Sequence, residues 1–279
     1  KMEGFAEKAA QTLTKKFSES GVQGVFVGVL DASSRDAFYK IQAKSLRGRV
    51  MQLFGETATG FAKVEDQDAS KPSLFCMVGE DGLYCGVGSP RETNGFYPGG
   101  TKFISQKAAH MISRAGAKIA EALHYVRLVR EVPPKGAHWL ELGACPGGMT
   151  SELLERGYRV TALDRAPLDP RLRGRDGLKF HKVDVAEYLA DVGTEFDALL
   201  CDMNGESSFA LGEVVRLSRL LRPGGLVVFT LKASGIESYN DYVDHLAAAV
   251  KQAKAGGLRL IANTHLTYNR HELTLFFER

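Results

Sequence analysis

Apolar residues recur along this chain with two periods. Phe5, Ala9, Leu13 and Phe17 are spaced three to four apart with lysines opposite, which predicts a helix over residues 2–18. Val22–Leu30 is apolar and rich in β-formers, a strand. Ser33 and Ser34 are N-cap residues for a helix from Arg35 to about Phe54. Short strands are expected at Gly60–Val64 and Ser73–Val78, with Asp81-Gly82 as a hairpin turn between Met77 and Tyr84. Ala109, Ile112, Gly116, Ile119, Leu123 and Val126 form the apolar stripe of a helix from about Ser105 to Val129. From Trp139 onward buried strands alternate with helices. Strands fall at Trp139–Leu142, Tyr158–Leu163, just before Asp184, and at Phe196–Leu200, Leu226–Leu231, Leu258–Asn263 and Leu273–Phe277. A helix from about Ser238 to Lys254 precedes the last two, and the short reversal between them makes the final strand antiparallel. The expected fold is α/β, a Rossmann-like sheet that is parallel except for one strand, preceded by a small α+β domain.

Pro, Gly and Asn concentrate in Ser89–Gly100, which places a linker there. The division is residues 1–90, a linker at 91–104, and residues 105–279, with Phe96 and Tyr97 docking between the domains. No repeat or low-complexity segment interrupts this plan. At 44% hydrophobic and 25% charged the composition is that of an ordinary globular protein. No apolar run approaches a membrane span and the N-terminus is not a signal peptide, so a cytoplasmic protein without membrane contact is expected. The chain opens at Lys1, as a piece of a longer protein would. Cys76, Cys85, Cys145 and Cys201 form no C-x-x-C, and no Cys/His cluster has zinc spacing, so reduced thiols and no metal are expected. Cys76 and Cys85 read as small hydrophobic residues of one hairpin.

Chemistry concentrates where the first strand of the second domain ends. Gly143, Ala144, Cys145, Pro146, Gly147, Gly148 and Met149 join a buried strand to a helix start. Such a turn lets backbone N–H groups approach a ligand at an electropositive helix end. It is not G-x-G-x-x-G, and Pro146 removes a donor, which suits a ligand without a pyrophosphate. Asp164 ends the second strand, where an acid accepts hydrogen bonds from a ribose. Asp184 follows the third strand, placed for an adenine amino group. Cys201-Asp202-Met203 ends the fourth. Net charge is only +3, but its distribution is uneven. Lys40, Lys44 and Arg47 share one helix face, and Arg165, Arg171, Arg173, Arg175, Lys179 and Lys182 crowd the segment after the second strand, which is expected to overhang the ligand edge. A polyanion is the expected partner, although a charge stripe is often only a solvated face.

Leu142–Gly148, Cys201-Asp202-Met203, Leu231-Lys232, Arg270-His271-Glu272-Leu273-Thr274, and Ser113-Arg114 followed by Lys118 together resemble the FtsJ-like ribose 2′-O-methyltransferases, and within them the RlmM-like branch. The resemblance runs from about residue 24 to the C-terminus. It implies S-adenosyl-L-methionine as cofactor, large-subunit ribosomal RNA as partner, with a cytidine ribose as the target, and a THUMP domain for RNA binding before about residue 90. It also implies a Lys-Asp-Lys-Glu tetrad, which falls on Lys118, Asp202, Lys232 and Glu272. Asp202 counts as cofactor-binding too, and Arg114 joins the RNA-contact candidates. Two features depart from the pattern: Met149 stands where the family usually has Trp, and that branch's further N-terminal domain is missing. The strand order supports the tetrad separately, because Asp202, Lys232 and Glu272 fall at one edge of the sheet and Lys118 needs only its helix beside them.

Lys232 is the expected general base. That role requires a lowered pKa, with Lys118 and the sulfonium pushing it down and Asp202 opposing. Glu272 is expected to hold Lys118 or the ribose. Two other readings stay open: an RNA base methyltransferase, and a non-catalytic RNA-binding assembly factor. Against the first, Asp202-Met203-Asn204-Gly205 lacks the prolines of an amine-holding turn, and a C5 enzyme needs a cysteine nucleophile. Cys201 borders the site, but it points away from Asp202 along the strand.

Overall fold

Apolar side chains in the second half of the chain alternate between the two faces of one sheet, and both faces are covered. In the computed structural model, residues 3–30, 37–55, 68–93, 95–96 and 110–279 are described. By internal contacts the chain divides into two units, Lys1–Lys102 and Phe103–Arg279.

The first unit holds α1 (Glu3–Phe17), β1 (Gly24–Val29), α2 (Ala37–Phe54), β2 (Ser73–Gly79) and β3 (Gly82–Gly88). The strands form one sheet in the order β1-β2-β3, with β1 parallel and β3 antiparallel to β2. Leu13, Val25, Leu46, Val50, Leu74 and Val78 build its core. Met77 pairs with Tyr84, but Gly79 pairs with Gly82, so the hairpin loop is Glu80-Asp81, one residue earlier than expected. Cys76 and Cys85 are cross-strand partners and both are free thiols. The Ser33 and Ser34 caps, the strand expected at Gly60–Val64, Tyr97 and most of the linker lie outside the described residues.

The second unit contains α3 (Ala115–Val126), β4 (His138–Leu142), α4 (Gly148–Glu155), β5 (Arg159–Asp164), β6 (Leu178–Lys182), β7 (Phe196–Cys201), α5 (Ser207–Ser218), β8 (Leu221–Lys232), α6 (Tyr239–Ala255), β9 (Arg259–Thr264) and β10 (Glu272–Glu278). Its seven strands run in the order β6-β5-β4-β7-β8-β10-β9, a Rossmann-like sheet whose β10 is antiparallel to both neighbours. Leu140, Leu142, Leu199, Val227 and Phe229 face a core shared with α5 and α6. Their neighbours Trp139, Ala198, Leu200, Leu226 and Val228 face a second core under α3 and α4. This period of two is what a doubly covered sheet requires.

Most boundaries fall within two residues of the sequence expectation, and two elements of the second unit begin further away. The helix expected from about Ser105 to Val129 spans only Ala115–Val126, and His110–Arg114 are not helical. His110 Nε2 lies 2.8 Å from Glu152 Oε2 on α4, which draws the chain across that helix. Ile112 still packs on the core under α3 and α4, so the apolar stripe runs past the true start. Strand β8 begins at Leu221 rather than Leu226, because Leu221 pairs with Phe196 before a bulge carries the register to Leu226 opposite Ala198. Among the described residues, no helix is long and apolar enough to cross a membrane.

The α5–α6 contact depends on a residue without a side chain. A Cβ on Gly256 would sit 2.3 Å from Val215 Cγ1 on α5. Gly256→Ala should therefore cost about 1–3 kcal/mol through overpacking. The same change should cost less in a Val215→Ala background, as read by a urea-unfolding double-mutant cycle. Equal costs in both backgrounds would remove this contact as the cause.

Candidate active site

At the C-terminal ends of the parallel strands a cleft of about 700 Å³ opens between the glycine-rich turn and the ends of β5, β6, β7 and β8. The turn is held from several sides. Gly143 and Ala144 donate backbone bonds to the Leu163 carbonyl at 3.0 and 3.1 Å. Cys145 N–H donates to Asp164 Oδ2 at 2.8 Å, and Ala166 N–H to Oδ1 at 2.8 Å. The Pro146 carbonyl accepts Asp169 N–H at 2.9 Å. Gly147 has φ +106, and a Cβ there would meet Leu172 at 2.3 Å, so only glycine fits before α4. Met149 is buried under the turn.

Gly143, Ala144, Cys145, Pro146, Gly148, Met149, Asp164, Asp184 and Asp202 line the cleft; Gly147 shapes the turn from behind. Asp184 Oδ1 caps the short helix Val185–Glu187 by accepting Ala186 N–H at 3.0 Å, and its Oδ2 lies 3.6 Å from Arg165.

Beside the turn, four charged side chains from four elements meet. Asp202 follows β7, and Lys232 ends β8 opposite Glu272, the first residue of β10. Lys118 reaches in from the first turn of α3. Lys232 Nζ lies 2.6 Å from Asp202 Oδ1 and 2.8 Å from Glu272 Oε2. Lys118 Nζ lies 3.3 Å from Asp202 Oδ2 and also pairs with Glu272. The four side chains are only 9–17% exposed, so two cations and two anions neutralise one another in a largely desolvated group.

The electrostatics correct one expectation. Burial alone pushes the Lys232 ammonium down, but the charges and hydrogen bonds of Asp202 and Glu272 outweigh it, so its pKa lies above the ordinary lysine value. The sequence reading required a lowered value; the two carboxylates hold the proton on instead. Burial likewise pushes the Glu272 carboxyl up, and Lys118 and Lys232 together bring it below its ordinary value. Cys201 is buried and its thiol is pushed up to about 12, mainly by burial, which disarms it as a nucleophile. Among the described residues, no group of three His, Cys, Asp or Glu is arranged to hold a metal ion.

The basic candidates are more scattered. Lys40, Lys44 and Arg47 are exposed on α2, although Arg47 Nε donates to the Val25 carbonyl at 3.2 Å. Arg114 is exposed just before α3, and Arg165 lines the cleft. Lys179 and Lys182 lie on β6, where Lys182 pairs with Asp164 at the ligand edge, whereas the loop before β6 starts at the cleft but ends at the opposite edge of the sheet, where Val160 N–H donates to the Gly177 carbonyl. It overhangs the ligand edge only in its first part. Arg175 lies 3.8 Å from Glu155 at the far end of α4, Arg171 is tied to Asp169 at 2.9 Å, and Arg173 is exposed.

Sequence reasoning missed Glu141. Its side chain faces the α3–α4 side, borders the cleft and accepts the Thr150 hydroxyl at 2.7 Å. A carboxylate inside the run Trp139-Leu140-Glu141-Leu142 was the available signal. Its carboxyl is pushed up to about 8 by burial, opposed by the Thr150 hydrogen bond and reinforced by Asp202 and Asp164.

Residues 111–245 match the family model described as FtsJ-like methyltransferase. A curated protein from Photorhabdus sp. (strain Az29), Ribosomal RNA large subunit methyltransferase M, is 27% identical over 223 residues, 76% of this chain and 58% of that protein. One of the same name from Halorhodospira halophila is 42% identical over 91 residues, 33% of this chain and 26% of its own length. The matched part thus spans less than two thirds of either relative. A solved structure from Streptococcus thermophilus, described as a candidate hemolysin, superposes with a TM-score of 0.54 at 17% identity, covering 63% of this chain and 69% of that one. This last likeness concerns the fold alone.

Glu141 gives the stability a pH signature. In the unfolded chain its carboxyl ionises near 4.5, and in the fold near 8. The folded state holds the proton longer, so this group's contribution is largest below pH 4.5 and falls as pH rises toward 8. The slope is at most about 1.4 kcal/mol per pH unit. Glu141→Gln keeps an acceptor for Thr150 and removes the ionisation. Its stability advantage over the parent in urea unfolding should grow from pH 5 to pH 8. A constant difference would mean that Glu141 is ionised in the fold.

Proposed function

We propose that the chain, whose residues 111–245 match the FtsJ-like methyltransferase model, transfers the methyl group of S-adenosyl-L-methionine to a ribose 2′-hydroxyl of RNA. The proposed target is a cytidine of large-subunit ribosomal RNA, in the cytoplasm. The observation that carries this reading is the meeting of Lys118, Asp202, Lys232 and Glu272 beside a glycine-rich turn at the ligand edge of the sheet. Residues 1–90, as a THUMP-like domain joined through 91–104, would bind the RNA.

The cleft fits the cofactor. Its volume, about 700 Å³, lies in the range of small-molecule sites. Acids stand at the ends of β5, β6 and β7 in the order that a ribose, an adenine and a cationic amino-acid end would need. Asp164 spends one lone pair of Oδ2 on Cys145 N–H of the turn and one of Oδ1 on Ala166 N–H, and each oxygen keeps another for a ribose hydroxyl. Asp184 would meet the adenine, and Gly143–Gly148 the methionine part. Bound there, the cofactor supplies a methyl group already activated on a sulfonium.

The protein must align the ribose oxygen and accept its proton. Lys232 is the proposed proton acceptor, held by Asp202 and Glu272; Lys118 shares both carboxylates and weakens their hold on it. With its pKa held above the ordinary lysine value by Asp202 and Glu272, Lys232 keeps its proton near neutral pH. This reading therefore demands a rate that climbs steeply with pH. The buried, unreactive Cys201 tells against cytosine C5 methylation.

Lys232→Ala should abolish transfer to RNA while calorimetry still detects cofactor binding. Lys232→Arg should fail as well, because a guanidinium cannot accept a proton at this pH. The parent rate should rise about tenfold per pH unit while Lys232 is mostly protonated. An arginine variant with near-parent turnover and a flat pH profile would reduce Lys232 to a fixed cation. Mapping the methylated atom by mass spectrometry separates ribose from base transfer.

RNA affinity should fall with salt, and Lys40→Glu, Lys44→Glu or Arg173→Glu should each weaken binding and lower the logarithmic salt slope by about 1, without changing base preference. Variants that bind as the parent does at every salt concentration would leave those positions as solvated surface.

A further inference from the structure

The last residue of β8 has backbone groups that no strand pairs. Lys232 lies directly opposite Glu272, and the adjoining ladder bond runs from Ala233 N–H to the His271 carbonyl at 2.8 Å. In an antiparallel ladder this makes Lys232 and Glu272 a non-hydrogen-bonded pair. The N–H and C=O of Lys232 therefore point the other way, toward the β7 side. There β7 has already ended, since its last residue, Cys201, pairs with Phe229.

Two side chains from the opposite face of the sheet fill that gap. The Ser207 hydroxyl, on the first residue of α5, accepts Lys232 N–H at 3.0 Å and donates to the Lys232 carbonyl at 3.0 Å. It uses its one proton and one lone pair on a single residue. His245 on α6 approaches the same carbonyl with Nε2 at 2.9 Å. A carbonyl only accepts, so Nε2 carries the ring proton. Ser207 is 6% exposed, which keeps water from replacing it easily. Neither Ser207 nor His245 is among the residues bordering the cleft, so both act at one remove from it.

We propose that Ser207, assisted by His245, is a positioning residue for Lys232: the two side chains pin the backbone at the end of β8 so that the lysine reaches between Asp202 and Glu272. The proposal rests on Lys232 being the reacting group. Once β7 stops, no other hydrogen bond among the described residues holds the Lys232 backbone on that side, and a shift of about 1 Å at a reacting group can cost up to about 100-fold in rate.

The test compares the full chain with Ser207→Ala, Ser207→Thr and Ser207→Ala/His245→Leu. The measurements are kcat and KM for methyl transfer, thermal unfolding, and NMR titration of the Lys232 ε-methylene with carbon-labelled lysine. Ser207→Ala should lower kcat about tenfold or more, with KM for RNA and cofactor unchanged. Its Lys232 resonance should titrate closer to an ordinary lysine, because the ammonium drifts from its two carboxylates. Ser207→Thr keeps the hydroxyl and should restore both readouts, and the double variant should move both further. A Ser207→Ala chain whose Lys232 titrates as in the parent overturns the proposal, whatever happens to turnover. So does a shifted titration with parent-like kcat in a chain that transfers methyl. If the parent transfers no methyl to RNA, the functional reading fails, and the titration still decides whether Ser207 holds Lys232.

Discussion

Two ammonium groups and two carboxylates can share a largely dry place only if each has opposite charge on more than one side. Moving such ions out of water costs several kcal/mol apiece, and only close mutual pairing offsets it. Lys118, Asp202, Lys232 and Glu272 meet that condition because each lysine touches both carboxylates. The sheet topology is what makes this possible. Adjacent parallel strands β7 and β8 bring Asp202 and Lys232 to one edge. A parallel β10 would begin at the opposite edge; running antiparallel, it begins opposite Lys232 and delivers Glu272. The fourth charge must come from outside the sheet, and α3 supplies Lys118 while its apolar side covers Trp139, Ala198 and Val228. Removing any one member leaves a net charge in a place with little water to screen it.

The same economy holds on the other side of the cleft. Asp164 lines the cleft, yet its two oxygens already accept the N–H groups of Cys145 and Ala166. Asp184 caps a short helix with one oxygen and faces Arg165 with the other. These acids set the shape of the cleft, so a substitution at either position changes geometry as well as ligand contacts. Mutational loss of cofactor affinity at Asp164 would combine both effects.

The inner strands β4, β5, β7 and β8 were legible because they are buried on both faces and so read as apolar runs that give way to turn or polar residues. That ending also exposed Asp164, Asp202 and Lys232, since a charge after such a run falls at the sheet edge. Helix α3 was less legible. Ile112 packs on the same core as the helix, so periodicity ran past the break at Ala115. The arginine-rich segment misled for another reason: composition cannot show that it crosses from one sheet edge to the other, which carries Arg175 to Glu155. Ser207 and His245 carried no local sign, because a serine at a helix start and a histidine on an amphipathic helix are ordinary. Their meaning comes only from β7 ending at Cys201 while β8 continues to Lys232.

The sign of the Lys232 shift could not be read from the sequence either, because it depends on how many carboxylates reach the amine. One would have left burial and the nearby Lys118 in contention; two hold the proton. This links proton affinity to occupancy of the cleft. Asp202 borders the cleft, where a cationic ligand group would sit, and it also exerts the strongest attraction on the Lys232 ammonium. A cation placed beside Asp202 competes for that carboxylate and repels the ammonium, and both effects lower the lysine's proton affinity. Glu272, which does not border the cleft, would keep Lys232 in position as the hold of Asp202 weakens. Of the two carboxylates, Asp202 is thus the one whose charge a ligand can offset, and Glu272 the one that preserves the geometry.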